Sequence, residues 1–111
     1  MMKIKVTKGD VDIVALIGAF DAASAPNLTN AVNKIVHAGQ IDIVVDFSEV
    51  QFMSSAGLRA IVLSIKEARA RGGDVRFAAI SPSVGKIIQM SGLHNIIKIF
   101  PTVEEALASF G

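Results

Sequence analysis

The stretch IDIVVDFSEVQFMSSAGLRAIVLSIKEARAR, residues 41–71, decides the fold. Its opening, IDIVVDF, is a short apolar run rich in β-branched residues and reads as a buried strand. After FMSSAGL, residues 52–58, the period changes. Leu58, Ile61, Val62, Ile65 and Ala68 recur at helical spacing, which predicts an amphipathic helix. Gly72 and Gly73 stop that helix. Two serines, Ser54 and Ser55, therefore stand side by side where a strand gives way to a helix.

Similar units flank this one. Upstream, KIKVTK alternates, so Ile4 and Val6 are expected in a core and Lys3 and Lys5 in water. VDIVALIG reads as a second, more buried strand, with Gly9 and Asp10 forming a hairpin turn between the two. SAPNLTNAVNKIVHAG puts Leu28, Val32, Ile35 and Val36 on one helical face. Ser24 is its expected cap, Pro26 suits its first turn and Gly39 its end.

Downstream, DVRFAAI alternates again, with Val75, Phe77 and Ala79 on one face. Ser81 followed by Pro82 opens a third helix. IIKIF, residues 96–100, reads as a fifth strand. Thr102 and Glu105 have capping-box spacing ahead of the stripe Val103, Ala106, Leu107 and Phe110. The order β-β-α-β-α-β-α-β-α predicts an α/β fold, a mixed, mostly parallel sheet flanked by about four helices. One domain over residues 1–111 is expected, without linker, repeat or low-complexity tract.

Composition narrows the function. A hydrophobic content of 51% fills a core, and a net charge of +1 offers no electrostatic footprint for nucleic acid or acidic membranes. The chain has no cysteine, so disulfides and thiolate chemistry are excluded, and no tryptophan or tyrosine to stack on bases. No apolar run approaches the roughly 20 residues of a membrane span. The N-terminus lacks a signal-peptide core, so a soluble cytoplasmic protein is expected. His37 and His94 carry no metal-site spacing and read as surface or helix-end residues, so neither metal nor cofactor is expected.

The glycines form neither a dinucleotide fingerprint nor a Walker loop. Asp21 and Asp46 each follow a strand-like run near the same sheet end, where close packing would make an acid/base pair. The plainer reading gives Asp21 to a turn and Asp46 to a strand end, and no catalytic residue is assigned. Arg59, Lys66, Arg69 and Arg71 read as a solvated helix face.

The two serines have a bland reading, in which one hydroxyl caps the helix. They also lie where ligand crevices form in open α/β sheets, outside the carboxyl ends of the strands. The positive end of the helix there favours a phosphate.

DFSEVQFMSSAGLRAIV resembles the signature of the STAS domain, as found in bacterial anti-sigma-factor antagonists. LIGAFDAASAPNL resembles that family's second strand, acidic residue and first helix, and ISPSVGKIIQMSGLHNIIKIFPTVEEAL resembles its C-terminal third. The resemblance spans essentially the whole chain. It implies a binding module rather than an enzyme. In the family, the unmodified protein binds an anti-sigma factor that is also a serine kinase, and sigma is freed. Phosphorylation of a loop serine dissolves the complex, and a metal-dependent serine phosphatase resets it.

Matching through Gly57 puts the acceptor on Ser55, with Ser54 as the alternative, because Ser54 stands where many relatives have aspartate. The same matching makes Asp21 a partner contact, and the expected docking surface is Asp21, Ser54, Ser55, Gly57, Leu58 and Arg59. Gly57 is expected to admit a partner's backbone. Arg59, four residues beyond Ser55, can reach back toward a phosphate, its bland reading being a solvated arginine worth about 0–1 kcal/mol. Two rival readings stand beside this one: a STAS subunit or scaffold of a transporter or stressosome-like complex, and a weak nucleotide hydrolase using Asp21, Asp46 and the serines.

Overall fold

A computed structural model describes residues 2–111. Five strands lie in the order β1-β2-β3-β4-β5: β1 Lys3–Thr7, β2 Asp12–Ile17, β3 Asp42–Glu49, β4 Asp74–Ala78 and β5 Ile99–Phe100. β1 and β2 form an antiparallel hairpin, and every other pairing is parallel. The helices are α1 Ala25–His37, α2 Ser55–Arg69, α3 Pro82–Met90 and α4 Val103–Ala108. The predicted element order is the observed one.

Strand alternation sorts the core into two layers. Val14, Leu16, Val45, Phe47, Val75 and Phe77 face α1, α2 and α3 and meet Leu28, Val32, Ile61, Ile65, Val84 and Ile88 there. Successive right-handed crossovers that advance across the sheet in one direction all land on one face, which is why these three helices share it. Val44 and Ala78 point the other way, onto Ala106 of α4 and half-buried Phe100 and Phe110. Phe20, Phe47 and Phe77 meet edge to face, with ring centroids 5.8 and 5.7 Å apart.

Asp74 fastens the layers. Its carboxylate accepts from Arg69 at 2.9 Å and Arg76 at 3.2 Å. Arg76 also donates to the Ser109 carbonyl at 2.6 Å and lies 4.0 Å over the Phe110 ring, which holds the C-terminal segment to β4. Arg69 donates as well to the Ile96 carbonyl, so it is a structural tie and not only part of a solvated face. His37 is exposed at the end of α1 and His94 is exposed in a 3-10 turn, Leu93–Asn95.

Three expectations are corrected. Val6 is 40% exposed, because α1 leaves a groove open toward the edge strand, lined by Val6, Ala31, Ile35 and Ala38. The fifth strand shrinks from five residues to Ile99–Phe100, since residues 93–95 wind into the 3-10 turn. Ala79 leaves β4 with a left-handed φ of 58°, its N–H donating to the Phe100 carbonyl.

Gly72 and Gly73 end α2 for different reasons. Gly72 holds a φ of +88° in open space, whereas a Cβ on Gly73 would collide with the Ile41 carbonyl. Gly72→Ala is therefore expected to cost only its backbone strain, about 1 kcal/mol. Gly73→Ala must push the Ile41 backbone aside, just before β3, and is expected to cost about 3 kcal/mol, lowering Tm by roughly 10 °C or more. Thermal circular dichroism of the two variants checks this; equal losses would remove the distinction.

Candidate functional site

Two loops leave the carboxyl ends of β2 and β3 and are joined by main-chain hydrogen bonds. Phe20 N–H donates to the Phe52 carbonyl at 2.9 Å, and Ser54 N–H donates to the Phe20 carbonyl at 2.9 Å. This single parallel bridge pairs Phe20 with Met53. Both side chains turn into the core, Phe20 at 0% and Met53 at 2% exposure. Gly57 is buried against them. A Cβ there would lie 2.8 Å from both the Phe20 ring and its carbonyl oxygen. The missing side chain of Gly57 thus makes room for Phe20 inside the domain, not for the backbone of a docking partner.

The α1 side of the site is built by Asp21. Its carboxylate accepts from the N–H groups of Ala23 and Ser24, both at 3.1 Å, and meets the Ser24 hydroxyl at 3.1 Å. Ser24 does not cap α1 as expected. Its hydroxyl receives the Asp21 N–H at 2.9 Å and donates to the Ala19 carbonyl at 2.8 Å. The bond from Ser24 N–H, then that from its hydroxyl, holds the Asp21 carboxyl below its ordinary value of 3.8. Among the described residues no hydrogen bond joins Asp46 to Asp21. Asp46 alternates with Val44 on the α4 face, and its carboxylate accepts from Ser48 N–H at 2.9 Å. The acid/base pair considered from the sequence is not assembled.

The serines differ sharply. Ser54 precedes α2 in extended conformation without bonding the helix through its side chain. Its Oγ is buried and has no hydrogen-bond partner among the described residues. Ser55, the first residue of α2, is exposed. No side chain caps α2 and no acidic residue occupies its first turn, so its leading N–H groups are free. The bland reading of the pair as caps therefore fails.

Ser55, Arg59 and Leu63 recur every fourth residue along α2 and line a groove of about 350 Å³ against Ala22, Pro26 and Thr29 of the α1 side. Arg59 and Leu63 are exposed, and Leu58 is half-buried against the core. Among the predicted residues, the structure thus brings Ser55 and Arg59 to one groove, sets Asp21 at the start of α1, and takes Gly57 and the Ser54 hydroxyl inside. Sequence reading missed Phe52, which is 54% exposed. The signal was available: in an extended segment neighbouring side chains point oppositely, so an inward Met53 sends Phe52 out.

The STAS domain family model matches residues 2–106. BtrV of Bordetella bronchiseptica, a protein that bears the name of an anti-sigma factor antagonist, is 29% identical over 110 residues, covering 98% of this chain and 95% of its own. The chain belongs to the STAS domain family. The solved antagonist from Mycobacterium paratuberculosis shares 26% identity over 98% of this STAS domain and 93% of its own chain, with a TM-score of 0.87. The phosphorylated form of the Bacillus cell fate determinant SpoIIAA shares the fold, with a TM-score of 0.74 and 21% identity over 100% of both chains. Among the described residues, no helix is long and apolar enough to cross a membrane.

The Asp21 contacts carry a pH signature. A carboxyl with a depressed folded pKa stabilises the fold above its unfolded pKa and loses that contribution as pH falls through the folded value. The Tm gap between parent and Asp21→Ala is therefore expected in full at pH 7. It should close on acidification below the ordinary carboxylate range. Melting curves between pH 7 and pH 2 check this, and a gap independent of pH would contradict it.

Proposed function

We propose that this STAS domain is a phosphorylation-controlled partner switch acting in the cytoplasm. Unmodified, it binds an anti-sigma factor that is also a serine kinase, and so frees a sigma factor. Phosphorylated on Ser55, it lets go, and a serine phosphatase restores it. The observation that carries this reading is Ser55 itself: an exposed hydroxyl on the uncapped N-terminus of α2, on the rim of a groove shared with Arg59. The buried Ser54 hydroxyl favours Ser55 as the acceptor, since a kinase must reach the oxygen it modifies. The antagonist names of the relatives, and a fold neighbour described in a phosphorylated form, support the same reading.

The physics explains why one phosphate suffices. It adds roughly −1.5 to −2 charges at pH 7. Beside free N–H groups and the positive end of α2 that charge is favourable by about 0.3–1 kcal/mol. Arg59 can add a charge-assisted fork, since residues four apart share a helical face and helical side chains lean toward the N-terminus. The fold therefore tolerates the group. A partner shaped for a small neutral hydroxyl does not, because burying an ill-matched charge at an interface costs about 2–5 kcal/mol. The interface term exceeds the helix-end term, so binding collapses while the fold persists.

Calorimetric titration of the parent, Ser55→Ala and Ser55→Asp against the purified anti-sigma factors of the source organism tests this. Ser55→Ala should bind like the parent and resist release by ATP. Ser55→Asp should bind roughly 30-fold to several thousand-fold more weakly at unchanged Tm. Parent-like affinity in Ser55→Asp, or phosphate found on Ser54 alone by mass spectrometry, would overturn the assignment.

A further inference from the structure

The geometry points to Phe52 as the apolar anchor of the partner interface, a ring that enters a pocket on the anti-sigma factor next to the surface meeting Ser55. This rests on the partner-switch reading above and adds to it the residue that supplies affinity, as distinct from the residue that controls it.

Phe52 is the odd member of its class. Phe20, Phe47 and Phe77 are fully buried, Phe100 and Phe110 are half-buried against α4, and Phe52 is 54% exposed. Its outward direction is imposed by the backbone. The Phe52 carbonyl accepts from Phe20 N–H and the next-but-one N–H, that of Ser54, donates back to Phe20, so the segment is held extended. With Met53 committed to the core, Phe52 has only the solvent side available. The preceding carbonyl, of Gln51, also receives the Ser83 hydroxyl at 3.4 Å.

An aromatic on a fixed backbone gives up only its two side-chain torsions on binding, a small cost for the contact area it brings. Phe52 and Ser55 are both exposed and three residues apart, so their backbones lie within about 10 Å, a span that an interface of standard size covers. The occupant is accordingly a protein surface with an apolar pocket, bordered by a site suited to a neutral hydroxyl. Phe52 carries no charge, so its contribution does not depend on salt, unlike that of a phosphate or of Arg59.

The test uses whichever purified anti-sigma factor the parent binds. Phe52→Ala should keep Tm within about 2 °C of the parent, as an exposed position allows, and weaken binding by roughly 30-fold or more. The factor should be the same at low and high salt, and Phe52→Leu should recover part of the loss. A Phe52→Ala affinity within threefold of a parent that binds overturns the anchor and leaves the switch standing. A parent that binds no anti-sigma factor overturns both. Because the chain has no tryptophan or tyrosine, Phe52→Trp supplies a second readout. Its emission, after subtraction of the parent mixture, should shift to the blue on binding. An unmoved emission in a formed complex overturns the proposal, even if Phe52→Ala should prove unstable.

Discussion

The pairing of Phe20 with Met53 is the contact on which the rest of the site depends. Two hydrogen bonds at 2.9 Å join loops that leave different strands, and the side chains of the pair complete the core beneath them. Buried main-chain groups must find partners, and here each loop supplies them to the other. The pairing in turn depends on Gly57, because any larger residue at that place meets both the ring and the carbonyl of Phe20. The glycine of the signature is thus a packing requirement of the domain, and the chemistry above it rests on a floor that cannot sink.

That floor separates two kinds of residue. Met53, Gly57 and the Ser54 hydroxyl face inward and fix where α2 begins. Phe52, Ser55 and Arg59 face outward from the same few residues and are free to meet another molecule. A change at Ser55 therefore has little mechanical purchase on the sheet.

Much of this was legible in the sequence, and the failures have physical causes. Helices with a clean apolar stripe, such as Leu28, Val32, Ile35 and Val36 in α1, were readable because periodicity reports which face is buried. Val6 was misjudged because alternation says which way a side chain points, not whether a helix reaches far enough to cover it. The fifth strand was overdrawn because IIKIF has strand composition, while the turn at Leu93–Asn95 and the Arg69 bond to the Ile96 carbonyl claim its first residues. In the site, residue types pointed only to the loop, and Ser55 was singled out by its resemblance to the family signature through Gly57. Residue types could not tell that Ser24 bonds back to Asp21 and Ala19 instead of capping α1, nor that of two adjacent serines one is sealed and one open. Those facts arise from the Phe20–Met53 pairing, which joins residues more than thirty positions apart and has no local signature.

The two edges of the sheet bear on how the molecule behaves in crowded solution. β1 exposes Lys3 and Lys5 along one open margin, and β5 at the other margin is two residues long. Charged side chains and very short strands are both poor templates for strand addition by a neighbour. Association through strand pairing is thereby disfavoured at either margin, and encounters are left to the loops between them.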